Sequence, residues 1–167
     1  ITSLREAARL GYSLIVLRLS LAAYRIPREV GIDGKYSHYL AATRGVTAGS
    51  GFATTQLRVP LFTMISTATH NWPHAAITVY VDDITITASG ECTIAASTTA
   101  EVSDFCISFM QNGLMLEASA NKSQATGSRP SVTREILRLS RTHMLTPVTT
   151  TKLLGAPYAA GRKRTIR

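Results

Sequence analysis

Between Val59 and Asn121 the chain contains no lysine and no arginine, although its 167 residues include 18 of them in all. Six acids fall in that interval, Asp82, Asp83, Glu91, Glu101, Asp104 and Glu117, giving it −6, whereas the whole chain carries +8. The flanks therefore hold +14. Such a surplus points to a polyanion, nucleic acid above all, as the partner, while the cation-free middle would attract metal cations. Cysteine is scarce too. Cys92 and Cys106 have no metal-type spacing and are too few for a disulfide framework, which fits a reducing compartment. Long hydrophobic runs are missing: Leu14 to Leu17 is stopped by Arg18, far short of a membrane span, so no membrane partner is expected. Neither a signal-peptide pattern, an internal repeat nor a low-complexity block is present, and the first residue is Ile1 in place of an initiator Met, which suggests a piece of a larger protein.

What is present fits a folded core, with 45% hydrophobic and 17% charged residues. Leu4, Ala7 and Ala8 mark a helix over Ser3 to Leu10, interrupted by Gly11. Ser13 is placed to cap a second helix through Leu14, Leu17 and Leu21 to about Tyr24, which Pro27 prevents from continuing. Glu29 to Ile32 and Lys35 to Leu40 read as a hairpin around Asp33-Gly34, a pair that accepts the positive φ of a tight turn. Arg44 to Phe52 follows, a loop with Gly45, Gly49 and Gly51 where backbone can approach a ligand; a plain flexible connection explains it equally well. Thr54 to Thr69 is predicted helical, kinked or started by Pro60 and ended by Asn71-Trp72-Pro73.

Further on, Thr98 to Glu101 has the form of a capping box before Val102, Phe105, Cys106, Phe109 and Met110, which fall at helical spacing, and Asn112-Gly113 closes that helix. Leu114 and Leu116 suggest a short strand leading to Lys122. Val132, Ile136 and Leu139 mark one more helix, and Lys152 to Gly155 a last strand before the basic run Arg162-Lys163-Arg164. His70 and His74 stand four apart around Trp72-Pro73, a spacing better explained by a surface turn than by a metal pair. Helices and strand pairs in this order predict an α+β fold.

The chemistry-bearing stretch is Tyr80-Val81-Asp82-Asp83. Ile77, Val79 and Val81 alternate with Thr78 and Tyr80, and Ile84 and Ile86 alternate with Thr85 and Thr87, which predicts two half-buried strands joined at an Asp82-Asp83 turn. Adjacent carboxylates on a rigid hairpin can ligate a hard divalent cation through oxygen, and Mg²⁺ held by one or two carboxylates plus substrate phosphates is the usual polymerase arrangement. A solvated acidic turn is the bland alternative.

Tyr80-Val81-Asp82-Asp83 resembles the Tyr-x-Asp-Asp box of reverse transcriptases, most like the non-LTR retrotransposon and group II intron branch. Arg44-Gly45-Val46 with Gly49-Ser50 resembles the template-and-nucleotide loop upstream of that box. Gly113-Leu114 through Asn121-Lys122 resembles the segment after it, and Lys152-Leu153-Leu154-Gly155 the turn near the primer grip. The resemblance implies a polymerase palm, a small antiparallel sheet packed on helices with the catalytic hairpin at the sheet edge. Residues 1–150 would be a partial palm lacking the fingers and first palm strand, and residues 151–167 a primer-grip-like strand and basic tail. It also implies nucleotidyl transfer to a primer 3′-hydroxyl with two Mg²⁺ or Mn²⁺ ions, and an RNA template, a DNA primer and deoxynucleoside triphosphates as partners. Asp82 would be the main metal ligand and Asp83 its neighbour. Tyr80 would pack beside the primer end, Arg44, Gly45 and Gly49 would meet template and nucleotide, and Lys122 would neutralise or protonate the leaving pyrophosphate, though an ordinary solvated lysine is as good a reading.

The chain departs from the family pattern in three places. Ala48 stands where Gln is usual, the Ser-Pro after the loop is missing with Pro60-Leu61-Phe62 lying further along, and the only acids ahead of the loop, Glu6, Glu29 and Asp33, do not supply the strand-borne aspartate that completes the metal site. That aspartate is expected outside the chain. A catalytically inactive palm remnant that binds nucleic acid is the alternative, and a viral RNA-directed RNA polymerase, where Gly is more usual before the acids, is a third reading.

Overall fold

The computed structural model describes residues 2–41, 51–153 and 156–159, an α+β arrangement of helices and two-stranded sheets. Its contacts divide into two compact units, Ile1–Thr63 and Met64–Arg167.

In the first unit, α1 (Thr2–Arg9) and α2 (Leu14–Tyr24) pack through Ala7, Leu17 and Val59, with Leu10, Tyr12 and Leu21 around them. Ser13 caps α2 as its sequence predicts, its hydroxyl accepting from the Val16 amide at 3.4 Å. Tyr24 donates its hydroxyl to Oε1 of Gln56 at 2.6 Å, tying α2 to the start of α3 (Ala53–Asn71). Pro60 lies inside α3, which continues past it even though the ring removes one backbone donor. The predicted hairpin forms from β1 (Gly31–Ile32) and β2 (Lys35–Tyr36), prolonged by a bridge between Arg28 and Leu40. Asp33 and Gly34 form its turn at φ 50° and 74°.

In the second unit, β3 (Ala75–Tyr80) and β4 (Asp83–Ala88) form an antiparallel hairpin in the register Ile77 to Ile86, Val79 to Ile84 and Tyr80 to Asp83. Its turn is Val81-Asp82, one residue earlier than the alternation suggests. Pairing Val79 with Ile84 in place of Ile86 slides the register by two residues, which leaves every apolar side chain on its face, so alternation alone cannot choose between the two.

Helix α4 (Cys92–Ser108) packs on this hairpin and on α5 (Pro130–Leu139). Ala96 and Ala100 let α5 approach closely, and Val132, Ile136 and Ala125 complete the core, with Leu137, Leu139 and Leu145 at its edge. Gly127 is required there, since a Cβ would come within 2.9 Å of the Val132 side chain. The helix starts earlier than the capping-box pattern predicts: Glu91 is its N-cap, and Thr98 and Glu101 lie in its interior because Ala95, Ala96 and their neighbours continue the helix upstream. A π-helical turn, Phe109–Gly113, closes it. The strand predicted at Leu114 and Leu116 does not form. The Leu114 amide donates to the carbonyls of Phe109 and Met110, and that of Leu116 to Met110 at 2.9 Å, so their donors are consumed by the helix end. Short strands β5 (Gln124–Ala125) and β6 (Thr146–Pro147) pair in parallel, and β7 (Thr150–Leu153) pairs antiparallel with β8 (Ala156–Ala159). The predicted strand at Lys152 is thus the end of β7, while Leu154, Gly155 and the basic run fall outside the described residues.

Candidate functional site

The β3–β4 hairpin presents its two faces differently. Ile77, Val79, Ile84 and Ile86 are half-buried, whereas Thr78, Tyr80 and Asp83 on the opposite face are exposed. Tyr80 and Asp83 are direct cross-strand partners on that open face, and Asp82 sits beside them in the turn, also exposed. The tip is held in an uncommon conformation: Val81 has φ 54°. A β-branched residue in the left-handed region costs about 1–3 kcal/mol, a strain that persists only where surrounding structure imposes it.

Mg²⁺ dehydrates reluctantly and takes one or two carboxylates together with water and substrate phosphates; Asp82 and Asp83 are exposed oxygen donors of that type. Among the described residues no group of three or more His, Cys, Asp or Glu side chains is placed to hold a metal. The four other acids of the cation-free interval lie away from the tip in sequence, at the α4 N-cap (Glu91), along α4 (Glu101, Asp104) and after its end (Glu117). Lys122 is exposed in the turn before β5, its amide bonded to the Ser119 carbonyl at 3.0 Å, and among the described residues it makes no ion pair with either aspartate. Arg44, Gly45 and Gly49 lie outside the described residues.

A second constellation was not visible in the sequence. Asp104 accepts hydrogen bonds from the Ser140 hydroxyl (2.7 Å), the Arg141 amide (2.7 Å), and the amide and hydroxyl of Thr142 (3.2 and 2.8 Å). Partial burial raises its pKa, but these four donors outweigh that and hold the carboxyl below its ordinary value. Beside it opens a cleft of about 680 Å³ lined by Trp72, Glu101, Phe105, Leu139 and Arg141 among others. Trp72 and Phe105 form its aromatic wall, ring centroids 5.4 Å apart, and the indole N–H donates to Oε2 of Glu101 at 2.9 Å. Trp72 reads in the sequence only as a helix end, and nothing local links Asp104 to residues 140–142; the lone tryptophan was the one available signal.

Comparison with protein-family models, with curated proteins and with solved structures returns no match. Among the described residues no helix is long and apolar enough to cross a membrane.

Proposed function

We propose that this chain is palm material of an RNA-directed DNA polymerase of a retroelement, transferring deoxynucleotides to a primer 3′-hydroxyl on an RNA template. The observation that carries the reading is the tip of the β3–β4 hairpin, where a left-handed Val81 sets Asp82 in the turn and Asp83 opposite Tyr80 on an exposed sheet face. Backbone strain of this kind clusters where function imposes it. The hairpin beneath packs on α4 and its isoleucines are half-buried, which gives the tip a stiff base.

In this reading Asp82 and Asp83 would hold Mg²⁺, which when bound would supply Lewis-acid stabilisation of charge on the transferred phosphoryl group. Tyr80, on the face of Asp83, orients the primer end and excludes water from one side of it. Lys122 neutralises or protonates the leaving pyrophosphate, and Arg44, Gly45 and Gly49 admit template and nucleotide to the backbone. The cationic flanks hold the nucleic-acid backbone.

Primer extension on an RNA template, by the product of the whole open reading frame with Mg²⁺, tests this. Extension that is lost in Asp82→Asn supports the reading, and extension that survives the substitution overturns it. The alternative, a palm remnant that binds nucleic acid without chemistry, is favoured by Ala48 in the glycine loop and by the lack of a third carboxylate beside the pair among the described residues. It predicts salt-dependent binding with no extension from the unaltered protein.

A further inference from the structure

The cleft beside α4 has a chemistry the polymerase reading does not use. Its two carboxylates differ in state. Asp104 is engaged by four donors from residues 140–142, so its role is to hold the chain after α5 against α4. Glu101 is exposed and takes a single hydrogen bond, from the Trp72 indole to Oε2, while Oε1 has no partner among the described residues. The indole thereby fixes a carboxylate at the edge of an apolar wall made by Trp72, Phe105 and Leu139. Arg141 also lines the cleft but makes no ion pair with Glu101. With two acids and one cation the lining is net negative, and it belongs largely to the interval that contains no lysine or arginine.

We infer that this cleft is a docking site for a basic peptide segment, the aliphatic stem of an arginine or lysine lying on the Trp72–Phe105 wall and its cationic head pairing with Glu101. A long cationic side chain is suited to such a surface because its stem is apolar and only its end is charged. A carboxylate already oriented by the indole binds it without losing its own freedom, and a charge-assisted hydrogen bond is stronger than a neutral one. The proposal stands independently of any nucleotidyl transfer.

Trp72 is the single tryptophan, so its fluorescence reports on this cleft alone. Titration with a blocked Gly-Arg-Gly tripeptide should give a saturable change, absent with the isosteric neutral citrulline tripeptide and weakened by salt. Glu101→Gln keeps an acceptor for the indole while removing the charge, and should weaken binding about tenfold or more. Arg141→Ala, which leaves the backbone donor to Asp104 in place, should tighten it. No saturable change, an equal response in Glu101→Gln, or weaker binding in Arg141→Ala overturns the proposal. So does a saturable response to oligothymidylate that is lost in Arg141→Ala, which would make the cleft an anion site.

Discussion

The two hairpins turn through two residues each, yet they meet the demand of the turn with opposite amino acids. In β1–β2 the left-handed positions go to Asp33 and Gly34, residues that accept them at little cost. In β3–β4 the left-handed position goes to Val81, whose branched Cβ crowds the following carbonyl. Their support differs in the same sense. Ile32 and Tyr36 of β1–β2 are 69% and 72% exposed, while the inner face of β3–β4 is half-buried against α4. A relaxed turn on an uncovered hairpin serves chain reversal. A strained turn on a braced one is what the proposed metal-binding role of the paired carboxylates would require.

The largest effect expected from this contrast is on activity. On the proposed polymerase reading, Asp82→Asn should reduce primer extension more than about a hundredfold, since a metal-ligating charge is worth several kcal/mol in the transition state, whereas Asp33→Asn in the relaxed turn should leave extension unchanged. Equal losses from both substitutions would erase the distinction between the turns.

Next in size is the brace. Asp104→Ala removes the acceptor of four hydrogen bonds that fasten α4 to residues 140–142. It should cost about 2–3 kcal/mol and, in amide exchange, deprotect Thr78 and Thr85, a hydrogen-bonded pair of β3–β4, without changing β1–β2. The same carboxyl makes stability depend on pH. Its folded pKa lies below the unfolded one, so its contribution is complete above the ordinary carboxylate range and is lost as pH falls through the lowered folded value. Urea midpoints from pH 5 down to pH 2 should fall less steeply in Asp104→Ala than in the unaltered protein.

The local signals were enough for much of the architecture. Ser13 as a cap, Asp33-Gly34 as a turn, and Val132 with Ile136 as a buried helix face each announce themselves within a few residues, and each is found. The turn at the acids lies one residue earlier than alternation suggests, because a two-residue slip in register keeps Ile77, Val79, Ile84 and Ile86 on one face. Thr98 to Glu101 has the form of a capping box, yet alanines upstream extend α4 back to Cys92. The Asp104 clamp and the Trp72–Glu101 cleft join residues 29 to 38 apart, and no periodic pattern encodes such pairs. Asp82 and Asp83 were legible as a motif; their strained presentation was not.

The smallest effect is the most direct test of strain, and it uses two substitutions of opposite sign. Gly34→Ala places a Cβ in open space, with nothing within 4 Å, so any cost comes from the left-handed φ of 74° alone. That cost should be about 1 kcal/mol. Val81→Asn puts a residue that tolerates positive φ at 54°, and should stabilise the protein by a similar amount, about 1 kcal/mol. In thermal melts the first variant should lose, and the second gain, roughly 2–4 °C. On the polymerase reading the second should also slow primer extension, because the turn conformation that presents Asp82 is no longer imposed on a β-branched residue. A Val81→Asn protein that is no more stable than its parent would mean that Val81 sits in its turn at no cost, and the two hairpins would then differ only in what packs beneath them.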